Sequence, residues 1–169
     1  MENKKVAVVM STYNGERFIR EQLDSILNQT YKNIEIIVRD DGSKDGTVQI
    51  VKEYMQKYSN IILHEGKNLG FIKSFFELLK LVDADYYSYA DQDDVWVENK
   101  IELAVNSLNK LDNSVPNMAF GNSDYYDEDM KLIGPGPKNK KYSFVKALFS
   151  CCGQGMTMTV NKRTRDMII

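Results

Sequence analysis

Short apolar runs alternate with longer segments of helical periodicity over the first 111 residues of the chain. The apolar runs, at residues 6–10, 34–38, 61–63 and 86–89, predict four strands. The segments after them carry apolar residues three or four positions apart, which is typical of amphipathic helices. Strands and helices that alternate in this way form a parallel sheet with right-handed crossovers. We therefore predict a three-layer α/β/α domain with a mostly parallel central sheet.

Each of the four predicted helices has one apolar face that we expect to be buried. The inward positions are Ile19, Leu23, Ile26 and Leu27; Val48, Val51, Met55 and Tyr58; Phe71, Phe75, Leu78, Leu79 and Val82; and Ile101, Ala104, Val105, Leu108 and Leu111. Asn14 is expected to cap the first helix, since Asn is a favoured N-cap residue. The fourth helix is expected to begin near Val97.

The pattern changes after Pro116. Residues 118–120 and 156–160 each predict a strand, residues 144–149 a short helix, and the acids within residues 124–129 a solvated hairpin. The last four residues have the apolar character of a helix but no Gly or Pro to stop it. We find no second domain boundary, so we expect residues 1–169 to be one domain that belongs to a longer protein.

Composition narrows the class of protein. Apolar residues make up 43% and charged residues 27%, and the net charge is −2. This is a globular composition without the basic excess that nucleic-acid binding requires. Cys151 and Cys152 are adjacent, so they cannot form a disulfide framework and indicate a reducing compartment. No run is long enough for a signal peptide or a membrane span. We expect a cytoplasmic protein, with contact at the inner face of the membrane left open.

Polar side chains follow three of the predicted strands. They are Ser11, Thr12 and Tyr13 after the first strand, Asp40 and Asp41 after the second, and Asp91, Gln92, Asp93 and Asp94 after the fourth. Because ligands of parallel sheets bind at the carboxyl ends of the strands, we expect these groups to converge. A tyrosine ring can lie against a base, and Asp41 can accept the imide N–H of a pyrimidine. Asp93 can hold a divalent ion that neutralises a diphosphate.

Three carboxylates lie within residues 91–94, at the expected end of the fourth strand. Carboxylates so close together repel each other unless water screens them or a cation neutralises them. Hard oxygen ligands suit Mg²⁺ or Mn²⁺. The alternative is a solvated turn that caps the next helix, and each of the other two clusters alone could likewise be a turn or a cap. Their occurrence at successive strand ends favours a nucleotide-diphosphate site.

The chain resembles the family 2 glycosyltransferases, which have the glycosyltransferase A fold. The matching motifs are V-V-M-S-T-Y-N-G at residues 8–15, S-I-L-N-Q-T-Y at 25–31, I-I-V-R-D-D-G-S-K-D-G-T at 36–47, N-L-G-F at 68–71 and Y-A-D-Q-D-D-V-W at 89–96. The last two motifs are similar to the rhamnosyltransferase-like branch. The resemblance implies an inverting transfer from a UDP- or dTDP-sugar to a saccharide or lipid-linked acceptor, assisted by Mg²⁺ or Mn²⁺.

The resemblance also implies a division of the chain and roles for its residues. Residues 1–111 would form the nucleotide-sugar half and residues 112–169 the start of the acceptor half. We assign to the nucleotide Ser11, Thr12, Tyr13, Asp40, Asp41, Lys73, Asp91 and Gln92, and to the metal Asp93, with Asp91 as a second ligand. Ser11 and Tyr13 would flank the base and ribose, and Asp41 would read the base.

The sequence departs from the family pattern in two places. Where many members carry an arginine after the N-x-G motif, this chain has Phe75, and nearby Lys73 would either serve the diphosphate or be a solvated lysine. The general base of the family is an acid beyond the strand at residues 156–160, so we expect it after Ile169. His64 is expected to be a strand-end residue rather than a base.

Three other functions are weighed against glycosyl transfer. A nucleotide-binding module without catalysis fits a chain that lacks its base. A sugar-phosphate nucleotidylyltransferase would need a glycine-rich basic loop after the first strand, where only Gly15 and Arg17 occur. A dehydrogenase is disfavoured because no G-x-G-x-x-G follows that strand. Self-association is expected if an apolar face is left uncovered.

Overall fold

The computed structural model describes residues 3–127, 130–136 and 155–169. Its elements are, in chain order, β1 (Val6–Thr12), α1 (Ile19–Leu27), β2 (Ile34–Asp40), α2 (Thr47–Met55), β3 (Ile61–Glu65), α3 (Phe71–Leu81), β4 (Tyr86–Ala90), α4 (Lys100–Leu108), β5 (Met118–Phe120), β6 (Asp124–Tyr126), β7 (Leu132–Pro135), β8 (Met158–Asn161) and α5 (Lys162–Ile168). Within the described ranges, no helix combines the length and the apolar character needed to cross a membrane.

A six-stranded sheet of order β3-β2-β1-β4-β8-β5 forms the centre of the fold. The first four strands are parallel, whereas β8 runs antiparallel to both β4 and β5. Thr12 at the end of β1 pairs with Asp40 at the end of β2, so the chain leaves both strands at the same level. The prediction of a mostly parallel sheet is therefore confirmed, and the carboxyl ends of β1, β2 and β4 share one edge.

Helices cover both faces of the sheet, as a strict alternation within β1 shows. Val6, Val8 and Met10 pack against α1, α2 and α4 on one face. Ala7 and Val9 point to the other face, against α3. Complete burial of a large apolar side chain contributes about 1.5–3 kcal/mol, so both faces stabilise the sheet. The three-layer α/β/α prediction is confirmed.

Three of the predicted helix faces were partly wrong. In α2 the buried apolar residues are Ile50, Val51 and Tyr54, whereas Met55 and Tyr58 lie on the exposed side. The buried face is therefore rotated relative to the predicted one. Tyr54 reaches across to α1, where its hydroxyl donates to Asp24 at 2.7 Å. Val48 is only partly buried.

In α3, Phe75, Leu78, Leu79 and the following Val82 are buried as predicted, but Phe71 is 64% exposed. Phe71 is the first residue of the helix and projects at the edge of the sheet rather than against it. In α4 the helix begins at Lys100 rather than near Val97, and Leu111 lies beyond its end and is exposed.

Asn14 does not cap the first helix. Its backbone has a φ of 49°, in the left-handed region that Asn tolerates better than most residues, and α1 begins only at Ile19. The Asn14 side chain instead accepts a hydrogen bond from the N–H of Lys44 at 2.8 Å. Asn14 therefore connects the loop after β1 to the loop after β2.

The second half of the chain agrees with the sequence where it is described. β5 and β8 are the predicted strands, although β8 starts two residues late, after a 3₁₀ turn at Gly155–Thr157. β6 and β7 form the predicted hairpin, with Asp124 and Asp127 exposed. The helix expected at 144–149, the basic residues of 138–141, and Cys151 and Cys152 lie outside the described residues.

Candidate active site

A cavity of about 320 Å³ opens at the carboxyl edge of the sheet. It is lined by Ser11, Thr12, Tyr13, Asp41, Asn68, Gly70, Phe71, Asp91, Gln92 and Asp93. These residues come from the ends of β1, β2 and β4 and from the start of α3. The structure thus brings together members of all three polar clusters that the sequence placed at strand ends, although Asp40 and Asp94 are not among the lining residues.

A larger cavity of about 600 Å³ lies at the opposite edge of the sheet. Its polar lining is largely engaged in the fold: Tyr86 donates to Asn109 at 2.7 Å, and Asp85 accepts from the N–H of Lys5 at 2.8 Å. Ligands of open α/β sheets bind at the carboxyl ends of the strands. The smaller cavity is therefore the candidate active site.

Asp41 is the most fully hydrogen-bonded side chain of the cavity. It is 3% exposed and accepts hydrogen bonds from the N–H groups of Leu69 and Gly70, each at 2.8 Å, and from the Arg39 guanidinium. Burial alone would raise the pKa of Asp41, but these three donors together hold it below its usual value. Asp41 is therefore an anchored, ionised acceptor at neutral pH.

Glycine at position 70 permits this arrangement. Its φ of +80° lies in the left-handed region, and its N–H points at the Asp41 carboxylate just as α3 begins. Helix N-terminal N–H groups stabilise nearby negative charge. The N-L-G motif at residues 68–70 therefore holds the Asp41 carboxylate in place.

Asp40 and Lys73 lie apart from the cavity lining among the described residues. Asp40 is buried, accepting from the Thr12 hydroxyl at 2.9 Å and from the N–H of Ser43 at 2.8 Å. It therefore holds the loop after β2 in place. Lys73 is exposed on the first turn of α3, and the structure leaves its two predicted roles open.

Tyr13 stands at the mouth of the cavity with 47% of its surface exposed. The loop that carries it is hydrogen-bonded to the loop after β2. The N–H of Asn14 donates to the Ser43 hydroxyl at 2.9 Å, and the N–H of Gly15 donates to the Thr47 hydroxyl at 2.8 Å. These contacts fix the main chain beside Tyr13 while its ring remains accessible to a ligand.

The acidic loop, residues 91–96, follows β4, and its first three residues, Asp91, Gln92 and Asp93, line the cavity. Burial and repulsion by Asp91 and Asp93 raise the pKa of Asp94 to about 6. Burial and the charge of Asp93 also raise the pKa of Asp91. Asp94 Oδ2 is buried without a hydrogen-bond partner in the described structure. Asp94 therefore lies beside two other carboxylates with one buried oxygen that receives no hydrogen bond from the described residues.

Lys100 is the cation that faces this loop, and it is largely occupied elsewhere. Its Nζ lies 3.0 Å from the centroid of the Trp96 ring and donates to the carbonyl of Met156 at 2.7 Å. Burial lowers the pKa of Lys100 well below its usual value, although Asp94 and Asp91 oppose this effect. Lys100 thus connects the acidic loop to the segment that precedes β8.

The acidic loop fits a hard divalent cation. Carboxylate oxygens are preferred ligands of Mg²⁺ and Mn²⁺, and a cation would offset the repulsion that raises these pKa values. Over residues 3–127, 130–136 and 155–169, no three His, Cys, Asp or Glu side chains are grouped to hold a metal by themselves. Mg²⁺ usually binds one or two carboxylates and takes its other ligands from water and substrate phosphates.

Sequence reasoning missed several residues of the site. Arg39 is buried and donates to Ser74 at 3.0 Å, and Ser11 donates to the same Ser74 hydroxyl at 2.6 Å. Asn68 and Phe71 line the cavity. The available signals were a charged residue directly after the apolar run of β2 and the polar N-L-G turn before α3.

A cavity at the carboxyl edge of a mostly parallel sheet is typical of α/β enzymes, and comparison with known proteins identifies the family. The model of glycosyl transferase family 2 matches residues 7–161. The chain therefore belongs to glycosyl transferase family 2, which confirms the resemblance found in its motifs.

Individual relatives agree with this assignment. The chain is 34% identical to the dTDP-rhamnosyl transferase RfbG of Shigella flexneri, a match that covers 92% of this chain and 54% of RfbG. It is 30% identical to Staphylococcus aureus TarS in complex with UDP-GlcNAc, with a TM-score of 0.59 over 63% of this chain and 31% of that one. It is 27% identical to the mannosyltransferase PcManGT of Pyrobaculum calidifontis in complex with GDP-Man and Mn²⁺, with a TM-score of 0.61 over 66% and 34%.

These similarities confirm the glycosyltransferase A fold. The chain spans about half the length of RfbG and about a third of the two matched structures.

Proposed function

We propose that the protein transfers a sugar from a UDP- or dTDP-sugar to a saccharide or lipid-linked acceptor, with inversion and with the help of Mg²⁺ or Mn²⁺. The observation that carries this proposal is the convergence of Tyr13, Asp41, Asp91 and Asp93 in one cavity at the carboxyl edge of the sheet. Family membership favours glycosyl transfer over nucleotidyl transfer.

The surroundings of Asp41 support recognition of a pyrimidine. Its Oδ2 accepts one hydrogen bond from the protein, from the N–H of Gly70, which leaves capacity for a second donor. The imide N–H of uracil or thymine is such a donor, whereas cytosine presents an acceptor at that position. The lowered pKa keeps the carboxylate ionised and thus able to accept. UDP-GlcNAc in the TarS complex and the dTDP-sugar named for RfbG agree with a pyrimidine donor.

The acidic loop is the proposed metal side of the site. Asp93 is exposed to the cavity and would be the direct ligand, with the half-buried Asp91 beside it as a second ligand or a contact to ribose or sugar. The Mn²⁺ in the PcManGT complex supports use of a divalent ion. When bound, the metal neutralises charge on the leaving diphosphate.

The proposed transfer is a single displacement. The acceptor hydroxyl attacks the anomeric carbon from the face opposite the diphosphate, the new C–O bond forms as the bond to the diphosphate breaks, and the configuration inverts. The hydroxyl proton passes to a general base, which we expect after residue 169. The anchored Asp41 and Tyr13 would hold the nucleotide so that this alignment is reached.

A donor panel tests the proposal. UDP-, dTDP- and GDP-sugars are incubated with Mn²⁺, candidate acceptors and a longer chain that includes the expected base, and release of the nucleoside diphosphate is followed. We expect pyrimidine donors alone to be used, and Asp93→Asn to lose turnover while Asp112→Asn, an exposed acid away from the cavity, retains it. Turnover that is indifferent to both metal and Asp93 would contradict the proposal.

Binding without catalysis is the competing function. If the base follows residue 169, the 169-residue chain should bind donor yet turn over about 100- to 10,000-fold more slowly than a longer chain. Equal turnover would mean that the base is already present. Asp124 and Asp127, exposed on the hairpin, would then be the first residues to substitute.

A further inference from the structure

Gln92 lies between the two proposed metal ligands, yet its amide is bonded to the other side of the cavity. Its Oε1 accepts a hydrogen bond from the N–H of Tyr13 at 2.9 Å, and its Nε2 donates to the carbonyl of Tyr13 at 3.2 Å. Both bonds go to the main chain of one residue, so they fix the orientation of Tyr13 as well as its distance from the acidic loop.

The loop after β1 is shaped to receive this amide. A Cβ at Gly15 would overlap Gln92 Oε1, so any side chain there would displace the Gln92 carboxamide from its present position. The left-handed backbone of Asn14 turns the chain directly after Tyr13. The contact therefore has a built geometry on both sides.

The acidic loop is itself anchored to α1 by buried polar side chains. Gln22, which is fully buried, donates to the carbonyl of Asp91 at 2.7 Å. The N–H of Trp96 donates to the Ser25 hydroxyl at 3.0 Å, and Gln29, just after α1, donates to the carbonyl of Val97, just after the loop, at 2.8 Å. The loop thus provides a fixed support from which Gln92 reaches Tyr13.

We propose that Gln92 is a positioning residue that holds Tyr13 to the acidic loop, so that the base side and the metal side of the cavity act as one unit. The sequence predicted a direct nucleotide contact for Gln92, which lines the cavity, and the positioning role is the alternative that we test against it. Its effect on ligand binding rests on the proposed function, whereas the contact itself does not. Because energetic coupling between sites is reciprocal, ordering of either side by its ligand favours binding at the other.

Amide hydrogen exchange in the ligand-free protein tests the contact. In Gln92→Ala the Tyr13 N–H loses its acceptor and should exchange about ten-fold faster or more, as a locally opened amide does. Gln56→Ala, an exposed glutamine at the end of α2, is the matched control and should leave Tyr13 unchanged. Unchanged exchange of Tyr13 in Gln92→Ala would overturn the proposal, whatever the protein binds.

A double-mutant cycle tests the consequence for ligand binding. Calorimetric dissociation constants for UDP and dTDP with Mn²⁺ are compared for wild type, Gln92→Ala, Tyr13→Ala and the double variant, all checked for an unchanged unfolding temperature. Gln92→Ala should weaken binding about ten-fold in wild type but less than about two-fold in Tyr13→Ala, because the effect acts through Tyr13.

The other outcomes of the cycle are equally informative. Equal losses in both backgrounds would show that Gln92 contacts the nucleotide directly, and no loss in either would show that the contact is irrelevant; both overturn the proposal. Absence of nucleotide binding by wild type would contradict the proposed function instead. The exchange of the Tyr13 N–H would then decide the role of Gln92 alone.

Discussion

Asp41 and Asp94 are two carboxylates at the same edge of the sheet with opposite surroundings. Asp41 accepts two main-chain hydrogen bonds and one from Arg39, and its pKa is lowered despite burial. Asp94 keeps a buried oxygen that no described residue contacts by a hydrogen bond, and its pKa is raised to about 6. Asp41 is thus stabilised by hydrogen bonds within the fold, whereas one buried oxygen of Asp94 receives none from the described residues.

The difference indicates that the two parts of the site depend on different partners. A buried polar group without a partner is rare in native structures and commonly marks a place where an ion, water or ligand binds. The side of the cavity around Asp41 is preorganised by the protein. The proposed metal would complete the acidic loop and make nucleotide binding there depend on a divalent ion.

Removal of the counterion of Asp41 should have the largest effect on stability. Arg39→Met leaves a buried carboxylate unpaired, which typically costs about 3–5 kcal/mol of unfolding free energy. Urea unfolding measures the loss. Arg20→Met removes an exposed ion pair with Glu53 and should cost far less, because water screens that pair. Equal losses for the two variants would contradict the anchoring role of Arg39.

Asp41→Ala should weaken nucleotide binding selectively. A lost charge-assisted hydrogen bond is worth about 1.5–3 kcal/mol, so UDP and dTDP should bind about ten-fold more weakly or worse. CDP, which lacks the imide N–H, should be little affected. Calorimetry with Asp112→Ala as control measures both. Wild-type affinity for UDP in a folded Asp41→Ala would show that another residue reads the base.

Asp94→Asn should stabilise the metal-free protein by about 1–2 kcal/mol at pH 7, since one unit of pKa shift equals about 1.4 kcal/mol. The sign follows from the raised pKa of Asp94. Its protonated form is favoured in the fold, so its contribution is full below the ordinary carboxyl pKa and is lost as pH rises through about 6. The advantage of the variant should therefore vanish toward pH 4 in thermal unfolding. An advantage that is constant with pH would contradict this origin.

Asp41→Asn should show the opposite dependence. A lowered pKa stabilises the fold above the ordinary carboxyl pKa, and that contribution is lost as pH falls through the lowered value. The variant should thus be less stable than wild type at pH 7 and approach it in acid. Parallel pH profiles for the Asp41 and Asp94 variants would remove the contrast between the two sides of the cavity.

The sequence predicted the sheet and the site edge because both depend on local patterns. Runs of apolar residues identify buried strands, and polar residues directly after them must lie at the strand ends. Helix faces were less certain, as Phe71 shows. Helical periodicity shows which residues of a helix are apolar. It does not show that the helix begins beside a cavity, where its first residue is exposed.

The roles of Asp40, Arg39 and Gln92 could not be predicted because each depends on a contact between distant segments. Gln92 and Tyr13 are 79 positions apart, and Arg39 and Ser74 are 35 apart. An amide or a carboxylate in a motif is equally able to bind a ligand or a neighbouring loop. Only the packed structure shows which partner it has.

Calorimetric titration of UDP with Mn²⁺ and with EDTA, in wild type and Asp93→Asn, tests the proposed metal dependence of the site most directly. Metal stabilisation of a diphosphate is worth several kcal/mol, so wild type should bind about 100-fold more tightly with Mn²⁺. Asp93→Asn should lose most of that difference while its unfolding temperature stays unchanged. Equal affinities of wild type with and without metal would contradict the central claim.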